Sequence, residues 1–337
     1  MNAKRVFGAA GCLAVLCLAG CLVVGNAAAK EKTTSKEKTT SITVRAGKAD
    51  SPNYLLARQF SEALVLGGNG AFTLDVKESQ GTVQNVIDAP KSSPNTLFIA
   101  SHSVIRQAQR GAKPFSKNPG YYDIRALFPI PFQTVHWLVR QDSGIKSLAD
   151  LAGHSFVPGS KGSISERMTA AVLQTLGIEK KVQLLDIDVA GAPAAVMSNK
   201  VSGLAVAGTF PVPMVNDIAK ATPIRLLGPQ PAELAKILAA DDNAVEQIIP
   251  KGTYPGVDSD VTTLAVPAGV YGSVRMSAET AYALTKAFWS QQAALTKKNP
   301  AWRAVDAASV AALGIRLHAG ALRYYDEAGI PVPKAMR

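Results

Sequence analysis

Val135-His-Trp-Leu-Val-Arg140 is the stretch of sequence that decides the fold, together with Thr262-Thr-Leu-Ala-Val-Pro-Ala-Gly-Val270 further along the chain. Both have the pattern of strands, and each lies between regions in which strand and helix patterns alternate. That alternation indicates α/β layers. We interpret the two strands as crossings between two lobes, with a small-molecule cleft where the lobes meet.

The two crossings divide the chain into an outer and an inner part. Residues 42–138 and 262–337 are predicted to form lobe 1, and residues 139–261 are predicted to form lobe 2. Residues 125–140, which include the first boundary between the lobes, contain two strand candidates, Ala126-Leu-Phe and Val135-His-Trp-Leu-Val139. Near the C-terminus, the pattern from Ala278 to Lys297 predicts a single helix.

The first 29 residues are predicted to be a secretory signal peptide. Met1–Arg5 is positively charged, and an apolar run extends from Val6 to Val24. Two cleavage sites are possible: a lipobox that ends at Cys21 and would make it a lipidated first residue, or the small residues Ala27-Ala-Ala29. A membrane-spanning anchor is the competing interpretation of the apolar run.

The segment KEKTTSKEKTTS, residues 30–41, contains no apolar residue, so it is predicted to be a flexible linker. Cys12, Cys17 and Cys21 are the three cysteines of the chain, and all lie in the predicted signal peptide. The exported protein would therefore have neither a disulfide nor a thiol nucleophile. Its stability would depend on a large hydrophobic core.

Charge and motif patterns disfavour several classes of function. The net charge is +11, but the basic residues are scattered and aromatic residues make up 6% of the chain, so a nucleic-acid surface is not predicted. The four histidines, His102, His136, His154 and His318, show no metal-binding spacing. No nucleophile elbow is present either. We expect no catalytic residue, metal or cofactor.

The clearest candidate binding segment is Gly159-Ser160-Lys161-Gly162-Ser163, between a predicted strand and a predicted helix. Helix N-termini carry unpaired N–H groups and a partial positive charge, which favour carboxylates and phosphates. Ser163 and Glu166 have the spacing of a capping box. A tight turn with a solvated lysine is the alternative interpretation.

Three other regions contribute candidates for ligand binding. They are Lys48, Asp50, Ser51 and Tyr54 in the first loop; Ser79, Gln80, Gly81 and Thr82 before the second predicted helix, with His102 after the next strand; and Gly208, Thr209 and Phe210 in the inner lobe. Each has a structural alternative: a surface salt bridge for Lys48 or Asp50, helix capping for Thr82, and core packing for Phe210.

Several of these stretches resemble the TAXI family, the extracytoplasmic receptors of TRAP (tripartite ATP-independent periplasmic) transporters. The resemblance covers nearly all of residues 42–331. The stretches that carry it are Phe128–Arg140 with Ser143–Gly153, Val157–Ser163, Ile249–Gly256 with Asp260–Pro267, Tyr282–Phe288, and Leu317–Tyr325. The chain departs from the family at Ala46–Tyr54, where the family has a glycine-rich loop, and at Ala100-Ser-His102.

The resemblance implies a two-lobed, periplasmic-binding-protein-like (type II) fold with two interlobe crossing strands and a central ligand cleft. It also implies a periplasmic receptor that delivers a small anionic solute, such as a dicarboxylate, an oxoacid or an acidic amino acid, to a TRAP-type membrane permease. The membrane itself would be contacted only through a lipid on Cys21. An orphan receptor serving a sensor or another transporter is the alternative, and an enzyme on the same fold is a third hypothesis.

Overall fold

A computed structural model describes most of the chain. The described residues are 39–49, 51–188, 190–241 and 243–337, all within one compact unit, Lys38–Arg337. The predicted signal peptide with Cys21, most of the predicted linker, and the candidate Asp50 lie outside the described residues.

The strands of the described residues form one ten-stranded sheet. They are β1 (Thr40–Arg45), β2 (Phe72–Lys77), β3 (Thr96–Ala100), β4 (Ile124–Arg140), β5 (Ser155–Val157), β6 (Gln183–Leu184), β7 (Gly203–Gly208), β8 (Ile224–Leu227), β9 (Val245–Ile249) and β10 (Val261–Ser273). Their main order across the sheet is β2-β1-β3-β10-β4-β7-β5-β6, with β8 beside β4 and β9 beside β10.

Helices connect most of these strands. They are α1 (Pro52–Gly67), α2 (Thr82–Asp88), α3 (His102–Gln109), α4 (Ile164–Thr175), α5 (Ala192–Met197), α6 (Pro213–Ala221), α7 (Pro231–Ala240), α8 (Ala278–Ser290), α9 (Gln292–Lys298) and α10 (Ala319–Glu327). Short 3-10 turns fill the remaining connections, among them Ala149–Leu151 and Ala308–Leu313.

The sheet consists of two halves, each the centre of one lobe. In lobe 1, β1 is parallel to both β2 and β3. In lobe 2, β5 is parallel to both β6 and β7. The two halves share β4 and β10, so the fold is mixed α/β and two-lobed, as predicted.

The crossing strands β4 and β10 are antiparallel to each other, and both change neighbours at the pair Thr134–Ala265, which we call the crossover level. β4 pairs with β10 from Ile124 to Thr134 and with β7 from Thr134 onwards. β10 pairs with β9 from Val261 to Ala265, and with β4 from Ala265, which lies opposite Thr134, to Ser273. The two predicted crossings are therefore confirmed. The predicted lobe boundaries, 138/139 and 261/262, lie inside these strands.

One expectation about the first crossing is wrong. Residues 124–140 form one strand, not two. Pro129 and Pro131, which lack an N–H group, do not break it. On the side of β4 away from β10, the ladder with β7 begins only at Thr134. Residues 127–133 therefore resemble an edge strand on that side, where proline is tolerated because no ladder hydrogen bond is lost.

Each lobe buries apolar side chains on both faces of its half of the sheet, which explains why β4 is apolar along almost its whole length. In lobe 1, the rings of Phe128 and Phe288 stack with centroids 4.2 Å apart. In lobe 2, the fully buried Trp137 donates its indole N–H to Thr169 Oγ1 over 2.8 Å. Each such aromatic side chain contributes roughly 2–3 kcal/mol through burial.

Three further elements differ from the sequence expectations. β1 begins at Thr40, so it includes the last two residues of the predicted linker. The helix predicted from Ala278 to Lys297 is two helices that meet at Gln291, a break that the continuous apolar pattern does not show. The strand β9 was not predicted, because its Glu246 and Gln247 interrupt the apolar residues and its pairing with β10 is a tertiary contact.

Candidate functional site

The parallel strands of both lobes end towards the middle of the crossing strands. The last residue of β3, Ala100, pairs with Gly269 of β10, four residues along the strand from Ala265. The last residue of β7, Gly208, pairs with Thr134 at the crossover level. The carboxyl ends of the two half-sheets therefore face the cleft from opposite sides. Open α/β sheets bind ligands outside the carboxyl ends of their strands.

A cavity of about 280 Å³ lies on the lobe 2 side of this cleft. Its size is near the lower limit of typical small-molecule sites. Its lining residues are Gln133, Val157, Gly159, Ser160, Ser163, Ile164, Ser165, Ile187, Ala192, Leu204, Ala205, Val206, Ala207 and Met214. The predicted segment 159–163 thus faces a cavity, with three of its five residues in the wall.

The turn before α4 requires glycine at its first position. Gly159 has φ +113°, and a Cβ added there would lie 2.0 Å from Ser165 Oγ. Gly162 also has a positive φ, +77°, but a Cβ on it would meet no atom within 4 Å. The two glycines therefore differ: Gly159 allows close packing, whereas Gly162 only allows the turn.

The N-terminus of α4 is capped by side chains, but not in the form of the predicted capping box. Ser163 Oγ accepts from the Glu166 N–H over 3.1 Å, as predicted. The carboxylate of Glu166 accepts from the N–H of Gly162 over 2.5 Å rather than from that of Ser163. The Ser163 N–H instead donates to the carbonyl oxygen of Ser160. Lys161 projects from this turn and is exposed.

A pair of serine hydroxyls lies in the cavity wall. Ser163 Oγ and Ser165 Oγ are 2.9 Å apart, and Ser165 is only 4% exposed. Two hydroxyl groups carry two hydrogens, and one of these makes the bond between them. Among the described residues, the other hydrogen has no acceptor beyond the pair, so one O–H donor is available to a ligand in the cavity.

Ser165, Gln133 and the apolar wall were not predicted from the sequence. Gln133 had a local signal, since it is a lone amide in the apolar run of β4. Ser165 falls just past the end of the predicted segment. The apolar lining residues come from β5, α4, the segment before α5, α5, β7 and α6, which only tertiary folding brings together. No spacing in the sequence could identify them.

The first candidate loop of lobe 1 serves in part as a helix cap. Ser51 Oγ accepts from the Tyr54 N–H over 3.3 Å and donates to the carbonyl oxygen of Lys48 over 2.7 Å. The Tyr54 hydroxyl donates to the backbone of Val76 in β2 over 3.5 Å. Lys48 is exposed. Ser51 and Tyr54 thus bind backbone groups, and Lys48 is the solvent-accessible charge of this loop.

The second candidate loop of lobe 1 connects β2 with α2. Ser79 is buried, and its hydroxyl accepts from the Gly81 N–H over 3.2 Å. Gly81, with φ +104°, is the N-cap of α2, and no side chain caps this helix. Capping by Thr82, the structural alternative, is therefore not observed. Gln80 is exposed, whereas Gly81 and Thr82 are half-buried.

The third region of lobe 1 follows β3. His102 is 5% exposed and packs so closely on Gly314 that a Cβ on this glycine would lie 2.6 Å from the imidazole Cγ. Nearby, the buried Asn85 donates through Nδ2 to the carbonyl oxygens of Ala46 and Ile99 at distances of 2.9 and 3.0 Å. Asn85 thereby ties the end of β1 to that of β3, a positioning role that was not predicted.

The candidate segment after β7 is divided between cleft and core. Gly208 and Thr209 are half-buried at the end of the strand. Phe210 is 6% exposed and belongs to the apolar core of lobe 2 together with Val212 and Tyr254. Phe210 therefore packs in the core, as its structural alternative predicted.

A buried hydrogen-bonded chain lies directly below the crossover level. The His136 Nδ1–H donates to the Thr134 carbonyl oxygen over 3.0 Å, and Nε2 accepts from the Tyr254 hydroxyl over 2.9 Å. The Tyr254 oxygen in turn accepts from the Val212 N–H over 2.8 Å. Burial lowers the pKa of His136 to about 4, despite opposing hydrogen bonds to the backbone of Thr134 and Val206, so the ring is neutral.

Two further properties bear on what the site can do. Within the part of the chain that the structure describes, no group of three or more His, Cys, Asp or Glu side chains is arranged to hold a metal ion. In the same part, no helix combines the length and the apolar character that are needed to cross a bilayer.

The chain matches one protein family over most of its length and resembles a solved solute-binding protein in fold. The profile of the NMT1-like family matches residues 46–329. A TctC solute-binding protein from Polaromonas has a similar structure, with a TM-score of 0.54 and 16% sequence identity. The match covers 78% of this chain and 86% of the Polaromonas chain. The periplasmic aliphatic sulphonate-binding protein SsuA from Escherichia coli is 15% identical over 88% of this chain and 89% of its own, with a TM-score of 0.44.

Proposed function

The chain belongs to the NMT1-like family, and from this premise we propose that it is the solute-binding receptor of a membrane transport system. The two-lobed fold, which it shares with the TctC solute-binding protein of Polaromonas, supports this proposal. The observation that carries it is the cavity at the carboxyl edge of lobe 2, into which the turn before α4 presents its hydroxyl groups.

The proposed ligand is a small carboxylate. The N-terminus of α4 supplies backbone N–H groups and a partial positive charge, and the serine pair supplies a free O–H donor. Among the described lining residues none is charged, so no carboxylate side chain repels an anion inside the cavity. Lys48 and Lys161, exposed on the two lobes, favour the approach of anions from solvent.

Ligand capture would proceed by hinge closure. The carboxylate would first bind at the turn 159–163, and lobe 1 would then cover it with the loops that follow β1, β2 and β3. The predicted contacts in those loops are Lys48, Gln80 and Thr82, and Thr209 is the predicted contact from lobe 2. Binding without chemistry is sufficient for this function.

The partner is proposed to be a TRAP-type integral membrane permease, in keeping with the resemblance to TAXI receptors. The receptor would act in the periplasm, either free or attached through a lipid on Cys21. Reconstituting the receptor with the permease in vesicles, with an imposed ion gradient, would test this pairing through receptor-dependent uptake.

Calorimetric titration of the purified protein tests the receptor proposal. The panel contains dicarboxylates, oxoacids, acidic amino acids and aliphatic monocarboxylates. We expect at least one class to bind with micromolar or tighter affinity, and the double substitution Ser163→Ala with Ser165→Ala to weaken that binding about tenfold by removing the hydroxyl pair and with it the free O–H donor. A folded protein that binds no member of the panel would refute the carboxylate receptor.

A further inference from the structure

The walls of the lobe 2 cavity are predominantly apolar. Nine of its fourteen described lining residues are aliphatic or methionine. The larger of these side chains come from several parts of the chain: Ile164 from α4, Ile187 from the segment before α5, Leu204 and Val206 from β7, and Met214 from α6.

The polar groups of the cavity form a small set. They are the hydroxyls of Ser160, Ser163 and Ser165, the amide of Gln133, and the backbone of the turn that begins at Gly159. Three of the four polar side chains come from one short turn and its helix, so the hydrogen-bonding capacity is concentrated at the N-terminus of α4. That end can bind one anionic group.

A second carboxylate inside this cavity would have no partner. Within the described part of the chain, none of the lining residues carries a positive charge. Burying an ionised group against aliphatic side chains is strongly unfavourable unless it is paired and hydrogen-bonded. The charge distribution of the cavity therefore disfavours dicarboxylates and acidic amino acids held wholly within it.

We propose that the ligand has one carboxylate and one apolar group: a monocarboxylate with an aliphatic or aromatic tail. The carboxylate binds at the turn 159–163, and the tail fills the space between β7, α5 and α6. This inference rests on the proposed receptor function and narrows it, since the sequence pointed to dicarboxylates, oxoacids and acidic amino acids.

Two matched ligand series test the proposal by calorimetry on the purified protein. One is propanoate, butanoate, pentanoate and hexanoate, and the other is succinate, glutarate and adipate. We expect affinity to rise about fourfold with each added methylene in the first series until the cavity is full. The second series should bind at least tenfold more weakly than the monocarboxylate of equal chain length. Hexanamide tests the need for the charge and should also bind at least tenfold more weakly than hexanoate.

Substitutions in the wall test where the tail lies. Ala207→Leu places extra bulk in the cavity and should weaken hexanoate binding at least tenfold while leaving propanoate binding within twofold. Met214→Gln keeps the side-chain length but adds an amide, and should flatten the dependence on chain length. Ala170→Leu, on the exposed face of α4, is the control and should change neither affinity.

The outcomes separate this inference from the receptor proposal. If dicarboxylates or acidic amino acids bind more tightly than monocarboxylates, the receptor function stands and the apolar-tail inference is overturned. A flat chain-length series, or an Ala207→Leu variant that binds hexanoate like the wild type, also overturns it. If neither series binds to folded protein and the wider panel is silent, the receptor proposal fails together with it.

Discussion

Gly159 is the residue on which the shape of the cavity most directly depends. Its positive φ turns the chain from β5 towards α4, and its missing side chain lets Ser165 lie against the turn. The buried hydroxyl of Ser165 is thereby held in the cavity wall beside Ser163. At this scale, binding depends on one unusual backbone conformation and two hydroxyl groups.

Gly159→Ala should damage both stability and binding. The positive φ costs about 1–3 kcal/mol for alanine, and the clash with Ser165 Oγ adds to this cost. We expect the free energy of unfolding to fall by at least about 2 kcal/mol and ligand affinity to fall more than tenfold, as measured by urea denaturation and calorimetry. Gly162→Ala is the matched control, because its Cβ meets no atom and only about 1 kcal/mol of strain should appear. Equal effects of the two substitutions would contradict the packing role of Gly159.

His136 should make the protein less stable as the pH falls through the range below neutrality. Its folded pKa, about 4, is below the ordinary value of 6.5, so the unfolded chain binds more protons between these values. The contribution of His136 to the free energy of unfolding is therefore fully present above pH 6.5. It decreases by about 3 kcal/mol as the pH falls to 4.

Urea denaturation of wild type and His136→Gln between pH 4 and 7 measures this contribution. The variant should lose a large part of the slope, because glutamine has no proton to gain. His318, whose pKa burial also lowers, supplies a smaller slope that remains in both proteins and cancels in the comparison. Identical slopes in the two proteins would exclude His136 as the titrating group.

The predictability of the site differs sharply between its residues. The segment Gly159–Ser163 could be predicted because glycines, a capping serine and a helix start are local signals. Gln133 and the apolar wall could not, since β7, α5 and α6 are far from the turn in sequence and meet only in the fold. Phe210 shows the opposite case: a residue beside the cleft in sequence whose side chain packs into the core.

Among the elements, the segment between β9 and β10 stabilises the crossover level through one side chain. Tyr254 lies in this segment, is 2% exposed, and connects His136 on β4 with the N-cap residue Val212 of α6. The sequence predicted the crossing strands but neither β9 nor the continuity of β4, because pairing partners decide both. An apolar pattern shows that a strand is buried, but not where it changes neighbours.

Tyr254→Phe should destabilise the protein without creating a large cavity in the core, because the ring is retained. It leaves the Val212 N–H and His136 Nε2 buried without their partner, at a cost of about 1–3 kcal/mol for each group. We expect a loss of 2 kcal/mol or more in the free energy of unfolding from urea titrations. Tyr122→Phe is the control, because that hydroxyl is on an exposed side chain and should contribute less than about 0.5 kcal/mol. A Tyr254→Phe effect as small as that of the control would show that water replaces the hydroxyl.

At the scale of the whole molecule, the two lobes are separate cores on one sheet. The general architecture could be predicted from the alternation of strands and helices and from the apolar crossings. The cleft followed from the topology, since the register places the ends of β3 and β7 on its two sides. The chemistry of the cavity did not follow, because no local pattern encodes an apolar wall.

Ligand binding should make the molecule more compact. If lobe 1 closes over a carboxylate held at the turn 159–163, the radius of gyration measured by small-angle X-ray scattering should decrease at saturation. The tightest ligand of the calorimetric panel is the probe, and Ala207→Leu with a long-chain acid is the control that should stay unchanged. A bound ligand, verified by calorimetry, that leaves the radius of gyration unaltered would contradict closure.

The pairing of Thr134 with Ala265 has a mechanical consequence. The lobes are joined by two hydrogen-bonded strands rather than by flexible linkers, so the connection behaves like a thin elastic plate. Such a plate bends readily across its face but resists shear within its plane. We therefore expect the lobes to approach each other by bending of these two strands, which would bring the same two surfaces together each time a ligand binds.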